Sequence, residues 1–157
     1  PYTDARAQWT LHAMKADELK QVIEEVYARI TRFANSEGDF IELEVDPDII
    51  GGGKGWKKIA ETSIYDRIAL YDAGIKSFVG VRGRLDGNFT YVIGRMSPFI
   101  PFPLSQIYRA LNDAEGTQTP NNAWGGSNII GGSPRETGSA LPPKEVEKII
   151  NEVIRKS

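Results

Sequence analysis

The sequence predicts an α/β domain, a mixed β-sheet of about four to five strands with helices packed on it, preceded by an N-terminal linker helix. Three observations predict it. Apolar residues recur at steps of three and four in several segments, the spacing of one helical face. Two strand-like runs flank an Asp-Gly pair, a strong hairpin signal. Helical and strand-like segments also alternate along the chain, the order that builds a sheet covered by helices. The chain has 157 residues, 40% hydrophobic and 25% charged, close to the globular norm, so a core of ordinary size is within reach.

Lys15 to Asn35 is the clearest helix, with Leu19, Val22, Ile23, Val26, Tyr27, Ile30 and Phe33 in its apolar stripe. Asn35 to Gly38 stops it. Phe40 to Val45 alternates apolar and acidic residues and reads as a half-exposed strand, closed by Asp46-Pro47-Asp48. Ile49 to Trp56 reads as a glycine-rich loop. Thr62 to Asp72 is a second helix, with Ile64, Ile68 and Ala69 inward and Gly74 as its stop. Lys76 to Arg82 and Asn88 to Arg95 form the hairpin around Leu85-Asp86-Gly87-Asn88. Pro98 to Pro103 cannot be a central strand, because proline lacks the ladder donor. Pro103 opens a third helix carrying Leu104, Ile107, Tyr108 and Leu111. Gly116 to Ser133 is a long polar loop, a length that is usually functional or disordered. A short segment follows to Leu141, and a last helix runs from Pro143 with Val146, Ile149, Ile150, Val153 and Ile154 inward. The chain thus divides into a helical segment, residues 1–36, and an α/β domain, residues 37–157.

Composition narrows the chemistry. The formal net charge is -2, so contact with phosphates requires a local patch rather than bulk charge. There is no cysteine, which excludes a disulfide framework and a thiolate metal site and suits a cytoplasmic location. No apolar run approaches the ~20 residues of a membrane span. The one histidine, His12, stands outside any metal-ligand pattern and reads as a surface residue. The 21 acidic residues lie mostly on helix faces and in turns, and none forms a two-metal signature. The residues therefore argue against independent catalysis, a catalytic residue or a metal site in this chain.

Two glycine-rich stretches remain. Gly51-Gly52-Gly53-Lys54-Gly55 lacks the Lys-Ser/Thr pair that opens a helix in a phosphate-binding loop, and reads first as a flexible surface loop. Gly125 to Gly138 is the stronger candidate for an anion nest. Gly131 and Gly132 offer backbone N–H groups, Ser127, Ser133 and Thr137 offer hydroxyls, and Arg135 offers a bidentate fork. Arg82 and Arg84 share a strand face if the strand persists, and Arg95 ends its partner. These arginines either line a groove with Arg135 or are solvated strand-end charges.

From about Phe78 to Leu141 the chain resembles the DHH-associated domain, the C-terminal substrate-binding domain of the DHH phosphoesterase superfamily of RecJ-like exonucleases and nano-RNases. Ile93-Gly94-Arg95-Met96-Ser97 is similar to that family's strand ending in an Arg-Ser motif. Leu104 to Glu115 supplies its helix, and Gly131-Gly132-Ser133-Pro134-Arg135-Glu136-Thr137-Gly138 its GGHxxAAG-like loop. Ser133 stands where the family has histidine, Glu136-Thr137 replace small alanines, and the Asp-His-His motif is absent. The resemblance implies a domain that holds a nucleotide or short single-stranded nucleic acid through Arg95, Ser97 and the Gly131–Thr137 loop. It implies that hydrolysis belongs to a catalytic domain upstream of Pro1 in the same polypeptide, using manganese or magnesium, with this chain binding no cofactor itself. Two other functions stay open. One is an RNA-binding module like the C-terminal domain of alanyl-tRNA synthetases. The other is a dimerisation domain, since the stripes of the first and last helices offer a surface to a second copy.

Overall fold

The computed structural model describes residues 13–38, 46–61, 65–116, 119 and 122–157. The chain divides into two compact units, Pro1–Glu42 and Leu43–Ser157.

In the first unit, α1 spans Ala16–Ala34. The Lys15 amide donates to the Glu18 carboxylate at 2.7 Å, which satisfies one of the free N-terminal donors. The apolar stripe is there as expected, yet Ile23, Tyr27, Ile30 and Phe33 are all more than 60% exposed. The expected strand Phe40–Val45 and His12 lie outside the described residues.

The second unit is a mixed six-stranded sheet, so the α/β class holds with more strands than expected. In chain order its elements are β1 Ile49–Gly53, β2 Trp56–Ala60, α2 Tyr65–Asp72, β3 Ser77–Gly83, β4 Phe89–Arg95, α3 Leu104–Glu115, β5 Gly125–Gly126, β6 Ile130–Gly132 and α4 Pro143–Lys156. The spatial order is β1-β2-β3-β4-β6-β5. β2 and β3 are parallel, joined through α2, and every other neighbouring pair is antiparallel.

β1, β5 and β6 come from the two glycine-rich stretches, and β2 from the residues that follow the first. Ile49–Trp56 is not a loop: β1 and β2 pair with Gly53 opposite Trp56, leaving Lys54-Gly55 as a two-residue turn. Gly55 has φ 81°, a conformation that glycine adopts without steric cost. The Gly116–Ser133 stretch likewise contains β5 and β6, which extend the sheet beyond β4.

Strand alternation separates two cores. Trp56, Val79, Val81, Tyr91 and Ile93 face α3 and α4, packing with Ile107, Leu111, Val146 and Ile150. Ile59 and Phe78 face the other way and pack with Leu70 of α2, flanked by Tyr71 and Val92. Each fully buried large side chain contributes roughly 1.5–3 kcal/mol. In α2 the inward residues are Asp66 and Leu70, whereas Ile68, expected inside, is 42% exposed. Thr62–Ile64 lie outside the described residues.

Buried polar groups tie the layers together. Lys58 is almost wholly buried, 2.5 Å from the Glu147 carboxylate, and donates to the Pro143 carbonyl at 3.1 Å. This joins β2 to the start of α4. On the opposite face Glu61 pairs with Arg67, whose guanidinium lies 5.8 Å from the centre of the Phe78 ring. Among the described residues no helix is long and apolar enough to cross a membrane.

Candidate functional site

The second unit carries an open groove of about 1270 Å³ at the end of the sheet where β2 and β3 begin and β4 ends. Trp56 and Phe102 line it with ring centroids 6.1 Å apart. The Trp56 indole N–H donates to Asn151 of α4 at 3.1 Å, and the Asn151 amide reaches back to the Gly52 carbonyl at 3.4 Å. One asparagine thus holds the β1–β2 hairpin against the last helix. The proline-rich segment after β4 forms the other wall.

Five cations line this groove: Lys54 in the hairpin turn, Lys57 on β2, Lys76 before β3, Arg95 at the end of β4 and Arg155 in the last turn of α4. No Asp or Glu is among its described lining residues. The side chains of Lys54, Lys57, Lys76 and Arg155 make no ion pair or hydrogen bond with another described residue. In a chain of net charge -2 this is a strong local excess of positive charge. Such a cluster repels itself and gains free energy when an anion enters.

Arg95 is the member that the sequence pointed to. It is anchored, not free: its Nε donates to the Asn128 carbonyl at 2.7 Å and its Nη1 to the Ile100 carbonyl at 2.8 Å. Its positive charge still faces the groove. It also acts on the buried Tyr108, whose phenol burial pushes up to about 12 while Arg95 pulls it down. Ser97 holds the turn after β4: its hydroxyl accepts from the Phe99 amide at 3.1 Å, and its carbonyl accepts from the Ile100 amide at 3.1 Å.

The glycine-rich stretch has another use than an anion nest. Gly131 and Gly132 belong to β6, between β4 and β5. Amides in such a strand point alternately to its two neighbours instead of converging on one point. A side chain at Gly131 would collide with the Gly125 carbonyl and the Tyr108 hydroxyl, so close backbone approach explains this glycine. Ser133 is buried, and its hydroxyl accepts from the Tyr91 amide at 3.0 Å. The Gly138 amide turns back to the Pro134 carbonyl at 2.9 Å.

Arg84 does reach the Glu136–Thr137 segment. The Arg84 guanidinium donates to the Glu136 carbonyl at 3.0 Å, Asn88 donates to the Thr137 carbonyl at 2.9 Å, and Asn122 donates to the Thr137 hydroxyl at 3.0 Å. Arg84 also pairs with Asp86 at 3.1 Å. Asp86 is held below the usual carboxylate range first by the Asn88 amide and then by Arg84. That neighbouring carboxylate offsets the arginine's charge. Arg135 is exposed and makes no side-chain bond with a described residue; Arg82 is exposed on β3 opposite Thr90. These residues sit near the Gly83–Phe89 end of the hairpin, whereas Arg95 sits opposite Ser77 at the other end. The seven residues of β4 span roughly 20 Å, so Arg95 does not share one groove with Arg82, Arg84 and Arg135.

Lys57, Lys76, Arg155 and the aromatic wall escaped the sequence reading, which reached Lys54 only within a glycine-rich stretch. The available signal was the run Gly53-Lys54-Gly55-Trp56-Lys57-Lys58, basic residues around an X-Gly hairpin turn. Among the described residues no group of three or more His, Cys, Asp or Glu is placed to hold a metal ion. No protein-family model matches the chain, and no curated protein matches it.

Proposed function

We propose that this chain is a substrate-binding domain that holds the phosphates of a nucleotide or short single-stranded nucleic acid for a DHH-type metal-dependent phosphoesterase. The observation that carries this reading is the groove with Lys54, Lys57, Lys76, Arg95 and Arg155 on its walls and no Asp or Glu among its described lining. The resemblance of Ile93–Ser97 and Gly131–Gly138 to the DHH-associated domain supplies the reaction class. On this reading a manganese or magnesium ion on a separate catalytic domain supplies the hydrolysis. The described residues here do not fit such an ion, and the chain's own part is to bind and orient phosphate. Arg95, fixed by two carbonyls, presents its charge in one place, while the lysines follow the backbone as mobile point charges.

The test is fluorescence anisotropy with a short labelled single-stranded oligonucleotide at two salt concentrations. Binding is expected to weaken with salt at a logarithmic slope of about 0.7 per phosphate contacted. Lys54→Ala and Lys76→Ala each reduce both affinity and slope, and added manganese produces no cleavage. Absence of binding, or binding indifferent to salt and to both variants, refutes the proposal.

A second reading, a dimerisation domain, draws on the exposed stripe of α1. Ile23, Tyr27 and Ile30 present an apolar face of the kind that pairs helices. Sedimentation of the chain beside its Ile23→Lys variant decides it: a dimer that the variant dissociates supports this reading, and a monomer in both removes it.

A further inference from the structure

The segment after β4 is tied down by several hydrogen bonds and presents one aromatic ring to water. Phe99 is 93% exposed and lies on the groove wall. Its own amide is held by the Ser97 hydroxyl, and the next amide, that of Ile100, donates to the Ser97 carbonyl. The Ile100 carbonyl receives two donors, the Arg95 guanidinium at 2.8 Å and the Phe102 amide at 2.7 Å. Pro98, Pro101 and Pro103 fix φ along the same stretch, and the side chain of Phe102 is buried as its anchor. The ridge is therefore pre-organised, and what it presents is a phenyl face beside lysines. Leu85 is also fully exposed, but it sits on a hairpin turn next to Asp86, away from the groove.

We propose that Phe99 is a stacking platform for one unpaired base of a single-stranded nucleic acid whose phosphates lie along Lys54, Lys57 and Lys76. This rests on the phosphate-binding function proposed above and names its substrate more closely. An aromatic face interleaved with cations matches a strand in which π-faces and phosphates alternate. A duplex keeps its base faces occupied by stacking, so it offers Phe99 nothing except at its ends. Arg95 and Ser97 act here as positioning residues, because they hold the turn that carries the ring. A rigid platform loses little conformational freedom when a base docks on it.

The experiment compares three probes of equal phosphate number, a single-stranded oligonucleotide, its duplex, and an abasic single strand, on the whole chain and on Phe99→Ala, Phe99→Tyr and Phe99→Trp variants. The wild type is expected to bind the single strand about tenfold tighter than the abasic strand. Phe99→Ala abolishes that difference while leaving abasic binding and its salt slope unchanged, and Phe99→Tyr retains it. Phe99→Trp shows fluorescence quenching by the single strand and not by the abasic strand. Because the ring is exposed, all variants are expected to keep the wild-type circular dichroism spectrum. Equal binding of single and abasic strands, or a silent Phe99→Ala, overturns the stacking role and leaves phosphate binding standing. No binding of any probe overturns both. An acidic peptide of equal charge that binds better than the oligonucleotide, and depends on Phe99, overturns it in favour of a protein ligand.

Discussion

The main-chain amide of Tyr91 donates to the Ser133 hydroxyl at 3.0 Å, and the Ser133 amide donates back to the Tyr91 carbonyl at 3.1 Å. The serine side chain thus completes the edge where β6 ends against β4. Ser133→Ala leaves the buried Tyr91 amide without a partner, at a cost of about 1–3 kcal/mol. Urea denaturation is expected to show that loss, with oligonucleotide affinity unchanged. A variant of wild-type stability that binds less tightly would assign the hydroxyl to substrate instead.

Lys58 and Glu147 form an asymmetric pair: the lysine side chain is 3% exposed and the glutamate 29%. Removing the acid strands a buried cation, so Glu147→Ala is expected to cost about 3 kcal/mol. Lys58→Met costs less, because the glutamate left behind can turn to water. Chemical denaturation of the two variants checks the order, and equal losses would contradict it.

The Glu115 carboxylate accepts from the Trp124 indole at 3.0 Å, the Ser139 hydroxyl at 2.5 Å and the Ala140 amide at 2.9 Å. It joins the end of α3 to two distant loop segments. Glu115→Gln replaces one acceptor oxygen by a donor that faces donors, and is expected to cost about 2 kcal/mol. A red shift of tryptophan emission in the folded variant reports the freed indole.

Tyr108 titrates late. Burial is the larger influence on its phenol, raised to about 12, and Arg95 opposes it. The unfolded chain loses this proton near pH 10. The folded state therefore holds more protons between about 10 and 12, and stability falls as pH rises through that window. Below pH ~10 the contribution is whole. Phenolate absorbance is expected to place the Tyr108 transition near 12, and Arg95→Ala moves it higher.

The legible parts of the fold are those where side chains carry the pattern. Val79 and Val81 alternate with Phe78, Tyr91 and Ile93 alternate with Val92, and Asp86-Gly87 marks the turn between them, so β3 and β4 stood out. The stripes of α3 and α4 did as well. β1, β5 and β6 did not, because Gly51–Gly53, Gly125–Gly126 and Gly131–Gly132 pair through backbone alone and offer no side-chain alternation. α2 is too short to fix its own inward face, which its packing partners set. At the site, Arg95 was visible from its motif, but its bond to Asn128 spans 33 positions and nothing local announces it. Lys76 and Arg155 become neighbours of Lys54 and Lys57 only through the tertiary fold.

That last point ties occupancy of the groove to integrity of the chain. Its charged walls come from positions as far apart as Lys54 and Arg155, so the unfolded chain has no comparable site. By mass action a ligand at one hundred times its dissociation constant adds about 2.7 kcal/mol to the unfolding free energy. Without ligand, the uncompensated cations push apart, and simple salt is expected to raise the melting temperature by screening them. A thermal melt with and without a phosphate-rich ligand therefore measures the groove from the side of folding.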